Sequence, residues 1–585
     1  MSKVLNPPFV SSQSSQSPTQ SVLKPGLVSA LAVALVIITF VAFLPALKNG
    51  FVSWDDGTNL VDNPYFRGFT WPHLKWMWTN HLLSHYVPLM WMSFGLDYII
   101  WGRGAFGYHL TNVVLHALNS GLFFLLSLAL MRRAGLQRAL PSRGALLAGA
   151  AFAALFFSLH PLRVESVAWV TERRDVLSGF FCLLSLLAYL RASGTDAAQS
   201  TQWKWYALCF GCFVLTVLSK EIGVVLPAIL LLLDVYPLQR IGGGPGRWFG
   251  PAVRSVWLEK LPFLAVALAD AAMTLQVGVQ HRLLASVHTL GWGSRFAISV
   301  YATAFYLWKT LVPTKLSPLY PLAPQNMSLS PQIVVSAAAV LLIIVACIIV
   351  WRKLPALPIV FLSYVLALVP VSGMFQAGAQ VAADRYTYLS CMGWAVLAGW
   401  CFARCWRALD TFLGRAFLAT LGSAILLALS WLTHDQISVW RDSDALWTRA
   451  VAVQPSVVAC NNLASSLFTE GDILGAMDLY RQSLTIEPRN PVAHAGLGGT
   501  FLDLHRWDEA VREFRLAVEL APSLAEAHSS LGHALAMQGH LDDAIDQFQQ
   551  ALNLKPDNEG FRKNLERAIA MKQHPEEHRT WRPSQ

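Results

Sequence analysis

Apolar runs close to the ~20 residues that cross a bilayer recur through the first 433 residues of this chain, with short polar connections between them. They lie at about 26–46, 107–131, 145–159, 176–190, 205–219, 222–236, 258–278, 332–350, 356–371, 388–406 and 413–433. Several are short, so their boundaries are soft. A further apolar stretch, 296–312, contains Lys309 and begins beside Arg295, which predicts an interfacial or re-entrant segment. The first run is long, lacks a small-x-small cleavage site and is followed by many more, so it reads as a retained anchor. Residues 1–25 are rich in Ser, Gln and Pro and predict a disordered N-terminus. The pattern thus predicts an all-α body of about 11 spans over 26–433.

Past residue 434 the periodicity changes. Leu463, Leu497 and Leu531 stand 34 apart, as do Ala476, Ala510 and Ala544, and Tyr480, Phe514 and Phe548 keep the same step. Pro488, Pro522 and Pro556 close each unit. This is the tetratricopeptide pattern: two helices per unit, with Ala where they touch and an aromatic ring between them. A half unit precedes it at Trp447, Ala450 and Pro455, and 558–570 predicts the capping helix that a solenoid needs. The repeat domain therefore runs over 434–575, with a tail at 576–585. Such arrays present a groove to a protein partner; a spacer or dimerisation role fits the same pattern.

Charge divides the same way. The net +9 hides 14 Lys/Arg against 21 Asp/Glu in residues 434–585, and 30 against 14 before them. The basic excess sits in short loops: Arg132, Arg133, Arg138 and Arg143; Arg240, Arg247, Arg254 and Lys260; Arg352-Lys353; Arg404, Arg407 and Arg415. The positive-inside rule puts those loops in the cytoplasm, and no nucleic-acid partner is implied. Eleven crossings then bring the repeats to the opposite face. Seven of the eight cysteines lie in or beside apolar runs, so no disulfide framework is expected. Cys209 and Cys212 read as a packed helix face.

That opposite face collects the ionisable residues, which are costly near a bilayer and mark function. The first loop carries Trp54-Asp55-Asp56, and the second carries His160, Arg163, Glu165, Glu172, Arg173, Arg174 and Asp175. Lys220-Glu221 and Asp384-Arg385-Tyr386 precede later runs. Singly, each has a bland reading: a solvated turn or helix cap for the acid pair, a buried ion pair for Lys220-Glu221. His81 and His85 share a helix face without an evident third ligand, which favours hydrogen bonding over metal. His109, Asn112, His116 and Asn119 form a polar stripe suited to interhelical packing. Together, acids and cations at one membrane face suit chemistry on an anionic lipid headgroup, with Arg and Lys on phosphate and a carboxylate moving a proton.

The ordered strings WDD, HYVPL, GYHLTNVVLH, HPLRVESV, RRD, KE and RYTYL, followed by the repeats, resemble the transmembrane and tetratricopeptide-repeat-containing (TMTC) family over roughly 30–570. Those proteins are O-mannosyltransferase relatives in the GT-C glycosyltransferase superfamily. The resemblance implies a GT-C-like body and inverting transfer of a sugar from a polyprenyl-phosphate donor to a Ser or Thr hydroxyl on the extracytoplasmic side. Carried over, Asp55 would be the general base, and Asp56 would orient the acceptor or support that base. Glu165, Arg174 and Asp175 would line the donor site, and Lys220 and Arg385 would contact donor phosphate. No metal or other cofactor is expected from this branch. Where family members tend to read Gly-Arg-Ala-Asp, this chain reads ERRD, which bears on donor geometry. The short repeat array and compact loops suggest a bacterial inner-membrane protein with periplasmic repeats, whose donor would be undecaprenyl-linked or similar. Competing readings are transfer to a lipid or polysaccharide, a non-catalytic scaffold, and a transporter. The last is disfavoured by the lack of internal duplication in the body.

Topology provides the first test. A reporter fused after residue 440 should signal from the extracytoplasmic side, and a cytoplasmic signal there would overturn the arrangement.

Overall fold

The computed structural model describes residues 24–136, 142–194, 199–242, 248–280, 291–321, 330–374 and 380–573. The expected disordered terminus over 1–23 and the tail from 574 lie outside them, as do Arg138 and Arg247. The described chain is helical, apart from the short antiparallel pair Tyr320–Pro321 and Gln380–Ala382.

Helices occupy all eleven expected runs. Among the described residues, six single helices are long and apolar enough to cross a membrane, fewer than the eleven crossings expected because the other runs fold as shorter or less apolar helices: Pro25–Ala42, Ala105–Gly135, Val170–Ala192, Arg254–Val279, Pro331–Val350 and Phe412–Val439. A seventh span results if Arg143–Ser158 and Pro161–Ala168, bent by 55°, count as one. The protein is a multi-spanning membrane protein. Helix starts follow local chemistry. Pro25 and Pro331 occupy first-turn positions where no donor is needed, while Ser142 and Thr411 accept from the Ala145 and Gly414 amides.

Contacts group the helix termini into two clusters. At one end Thr39 meets Ser158 at 2.9 Å, Thr433 donates to Leu159 O at 2.8 Å, and Asn49 donates to Ile437 O at 3.3 Å. At the other, Arg133 caps Leu190 O, and Tyr189, Asp234, Arg240, Glu259 and Lys260 form one buried network. Arg133, Arg240 and Lys260, from two of the basic loops predicted to share a face, meet here. Helix Trp292–Leu311 covers the ambiguous stretch. Its Arg295 donates to Met374 O, beyond the end of Ala356–Leu368, and its Thr310 O accepts from His160.

Helices Arg143–Ser158 and Met392–Ala408 pack nearly backbone to backbone. A Cβ added at Gly149 would stand 2.5 Å from Gly399 O and 2.8 Å from Ala403 Cβ. Small residues are what allow helices to approach this closely in a membrane, where the hydrophobic effect does not drive them together.

The tail opens with the single helix Ser443–Val453, stacks three helix pairs from Val457–Glu470 through Leu541–Leu554, and Glu559–Gln573 covers the end. Ser456, Asp472 and Asn490 cap the Ala459, Gly475 and Ala493 amides. The repeating Ala476, Ala510 and Ala544 are fully buried, with Tyr480, Phe514 and Phe548 packed beside them.

Gly149→Val should separate its helix pair and cost about 1–3 kcal/mol by overpacking. A lowered thermal midpoint in detergent would register this, and an unchanged midpoint would contradict the close approach.

Candidate functional site

The first end of the bundle gathers the motif residues, and the second loop supplies their centre. The chain breaks helix after Ser158, turns through Pro161–Arg163, Val164–Ala168 and Val170–Glu172, and re-enters helix at Arg173. This places Glu165, Glu172, Arg174 and Asp175 in one buried knot.

Glu172 is its hub. Arg174 donates to it twice, Nε at 3.1 Å and Nη2 at 2.5 Å. Lys220 Nζ reaches it at 3.1 Å and Arg385 Nε at 3.2 Å. Lys220 also binds Asp175 Oδ1 at 2.7 Å, and Ser166 donates to the other Asp175 oxygen at 3.0 Å. Arg385 pairs with Glu165 through its guanidinium, and its backbone amide donates to Glu165 at 3.0 Å. The three cations expected at a donor site therefore converge, as do Glu165 and Asp175, which act here as partners of those cations. These pairings leave Arg174 Nη1 and Arg385 Nη2 without a protein partner among the described residues.

The acid pair divides. Asp56 is buried: one oxygen accepts from the Thr171 amide at 3.0 Å and the Thr171 hydroxyl at 2.6 Å, the other from the Val52 amide at 3.1 Å. Burial pushes its carboxyl up to about 6 against those hydrogen bonds. Asp55 is half-buried, and its carboxylate accepts no hydrogen bond among the described residues. Burial holds it above the ordinary aspartate value; Arg174 and Arg385 pull it down, and Glu172 pushes it up. Asp55 is thus a carboxylate with free lone pairs in the field of the cation knot.

Neighbouring polar residues have structural partners. Lys220 and Glu221 do not pair with each other: Lys220 turns to the hub and Glu221 meets His85 at 3.0 Å. An extended backbone at Lys220, φ −162°, sends the two side chains apart. The hydrogen bonding expected of both histidines holds for His85 alone: His81 stacks on Tyr86, and its Nε2 is buried without a hydrogen-bond partner among the described residues. His116 joins Ser158 O and Tyr388, Asn119 joins Val176 O and Tyr388, and Asn112 joins Val167 O, completing the interhelical stripe. Arg173 leaves the knot for Asp97, Asn112 and Tyr108 O. Among the described residues, no group of three or more His, Cys, Asp or Glu is arranged to hold a metal ion.

Two contributors were not singled out from sequence, the hub Glu172 and the Asp56 partner Thr171. Both adjoin the RRD motif, and nothing in the spacing separates Glu172 from Glu165 or Arg173 from Arg174. Only the turn geometry sorts them.

Comparison with known proteins returns both signatures. The tetratricopeptide-repeat family matches residues 490–557. Similar curated proteins include protein O-mannosyl-transferase TMTC2 of Mus musculus, 36% identical over 28% of this chain and 18% of that protein. Tmtc3 of Drosophila melanogaster is 25% identical over 73% of this chain and 51% of its own length. TMTC1 of Homo sapiens is 26% identical over 77% and 54%. The chain thus spans between 18% and 54% of the length of these relatives. Among solved structures, the first TPR of Spaghetti (RPAP3) bound to an HSP90 peptide is 23% identical, covering 20% of this chain and 93% of its own, at TM-score 0.20. The Sgt2 TPR domain from Aspergillus fumigatus is 17% identical, covering 22% and 87%, at TM-score 0.20. The resemblance read from the ordered motifs therefore holds: the chain's homologues are TMTC protein O-mannosyl-transferases.

Glu172→Ala would leave Arg174, Lys220 and Arg385 without their shared buried partner. The expected cost is about 3–5 kcal/mol, read as a large drop in thermal midpoint. A midpoint equal to wild type would show that Glu172 is not the hub.

Proposed function

We propose that this protein is a membrane glycosyltransferase. It moves a mannose-like sugar from a polyprenyl-phosphate donor to a protein Ser or Thr hydroxyl, with inversion, on the extracytoplasmic face opposite its basic loops. One observation carries the reading: the unbonded Asp55 carboxylate lies in the electrostatic field of Arg174 and Arg385, each of which keeps one guanidinium nitrogen without a partner among the described residues. A base and phosphate donors side by side are what displacement at a sugar phosphate requires.

In this reading Asp55 takes the acceptor hydroxyl proton as its oxygen attacks the anomeric carbon. The bond from that carbon to the phosphate oxygen breaks, and the polyprenyl phosphate leaves with the electron pair. The phosphate needs no proton because Arg174 and Arg385 neutralise its charge, with Lys220 supporting through the hub. Asp56 does not contact the acceptor; it pins the loop to Thr171 and so supports the base. Glu165 and Asp175 orient Arg385 and Lys220 at the donor side. An apolar groove lined by Phe123, Leu186, Ile222, Leu226, Leu389 and Val396 starts beside the Lys220 turn and suits an isoprenoid chain. The named activity of the relatives supports mannose and a protein acceptor, and the repeats suit recruitment of that protein.

Purified protein supplied with polyprenyl-phosphate mannose and Ser/Thr peptides should transfer sugar. Asp55→Asn should lower kcat by roughly 10²–10⁴-fold, the usual share of a general base, while donor binding persists. Because burial raises the Asp55 pKa, the acid limb of the rate profile should lie above pH 3.8, with activity rising as Asp55 loses its proton. Full activity in Asp55→Asn removes it as base. Label found only in lipid moves the acceptor to that class, and absence of donor binding favours a scaffold.

A further inference from the structure

The repeat tail does not begin at a distance from the site. Gly50 N donates to Arg441 O at 2.8 Å, and Ser53 N donates to Ser443 Oγ at 2.8 Å. Trp447, fully buried in the first repeat helix, donates its indole NH to Ser53 Oγ at 3.2 Å and packs on Trp54 with ring centroids 5.1 Å apart. Trp54 in turn packs on Trp169 at 5.2 Å, and Trp169 on Trp440 at 5.3 Å. The Arg385 guanidinium lies 5.4 Å from the centre of the Trp169 ring. Two residues beyond Trp447, Arg449 Nε donates to Leu316 O at 3.0 Å. That segment leads to Tyr320, whose hydroxyl donates to Asp384 at 3.0 Å, beside Arg385.

Asp55 therefore lies between two anchors: Ser53 and Trp54 held by the tail, and Asp56 held by Thr171. Its own carboxylate has no bond to fix it, so the backbone alone decides where it points. We propose that the first repeat helix, through Trp447, Ser443 and Arg449, is a positioning element of the site that aims Asp55 at the open face of Arg174 and Arg385. The inference rests on the glycosyl-transfer reading for its consequence and on the aromatic stack and the Ser53 bonds for its geometry. The repeats then do more than recruit a partner, since their first helix forms one wall of the chemistry. Misplacing a reacting group by about 1 Å costs on the order of 100-fold in rate, so a loosened loop would be visible in turnover.

The test uses the full chain in detergent, comparing wild type with Trp447→Ala and Trp447→Phe. Hydrogen exchange over residues 50–62 should quicken in Trp447→Ala by about tenfold, the size of a modest local-opening change, while exchange across 461–573 stays put. With polyprenyl-phosphate mannose as donor, kcat should fall by roughly 100-fold and the donor KM should hold. The acid limb should move to lower pH, because water reaching Asp55 relieves the burial that raises it among Arg174, Glu172, Arg385, His85 and Asp56. Trp447→Phe, which keeps a ring but loses the Ser53 bond, should recover most of the rate. If Trp447→Ala does not fold, Ser443→Ala carries the same readouts through the Ser53 amide. Unchanged exchange over 50–62 overturns the inference whether or not sugar is transferred, and so does unchanged kcat when that exchange has quickened. A wild-type protein that transfers no sugar overturns the functional reading instead, and the exchange result still judges the tether.

Discussion

The structure at the working end of the bundle depends on one buried carboxylate shared by three cations. Removing Glu172, Arg174, Lys220 and Arg385 from water is expensive, and only close, well-hydrogen-bonded pairing offsets that. The four come from three distant stretches, so their pairing locks the second loop to the chain at 220 and at 385. Glu165 and Asp175 take up the remaining partners of Arg385 and Lys220. Three cations are paired with three carboxylates, so the charges of the knot balance. The free edges of two guanidinium groups are where that balance stops and a phosphate can begin.

From this knot the rest of the site is hung. Thr171, next to the hub, holds Asp56 and with it the first loop. Trp169, in the same turn, carries the aromatic stack that reaches Trp54, Trp440 and, through Trp54, Trp447 of the repeats. Membrane body and solenoid are thus continuous through packed indoles, and large rigid rings bury much area at small entropic cost. Adjacent acids end with opposite duties: one saturated with hydrogen bonds, the other left open.

Much of this was legible beforehand for identifiable reasons. Apolar run length reports span length because an unpaired backbone cannot stand in lipid. The 34-residue step reports the solenoid because Ala476, Ala510 and Ala544 must be small where helices touch. The polar stripe from His109 to Asn119 followed from helical spacing alone.

Sequence by itself determined the helical class, the two-part organisation, the gathering of acids and cations at one end, and the likeness to TMTC proteins. Those properties depend on local composition and period, which the chain carries wherever it folds. Tertiary structure alone decided that Glu172 is the hub, that Arg174 enters the knot while Arg173 leaves for Asp97, and that Asp56 is consumed while Asp55 stays open. It also decided that Trp447 leans on the Asp55 loop. The first three are choices between chemically equivalent neighbours, made by the direction in which a turn points a side chain and by partners from other stretches of the chain.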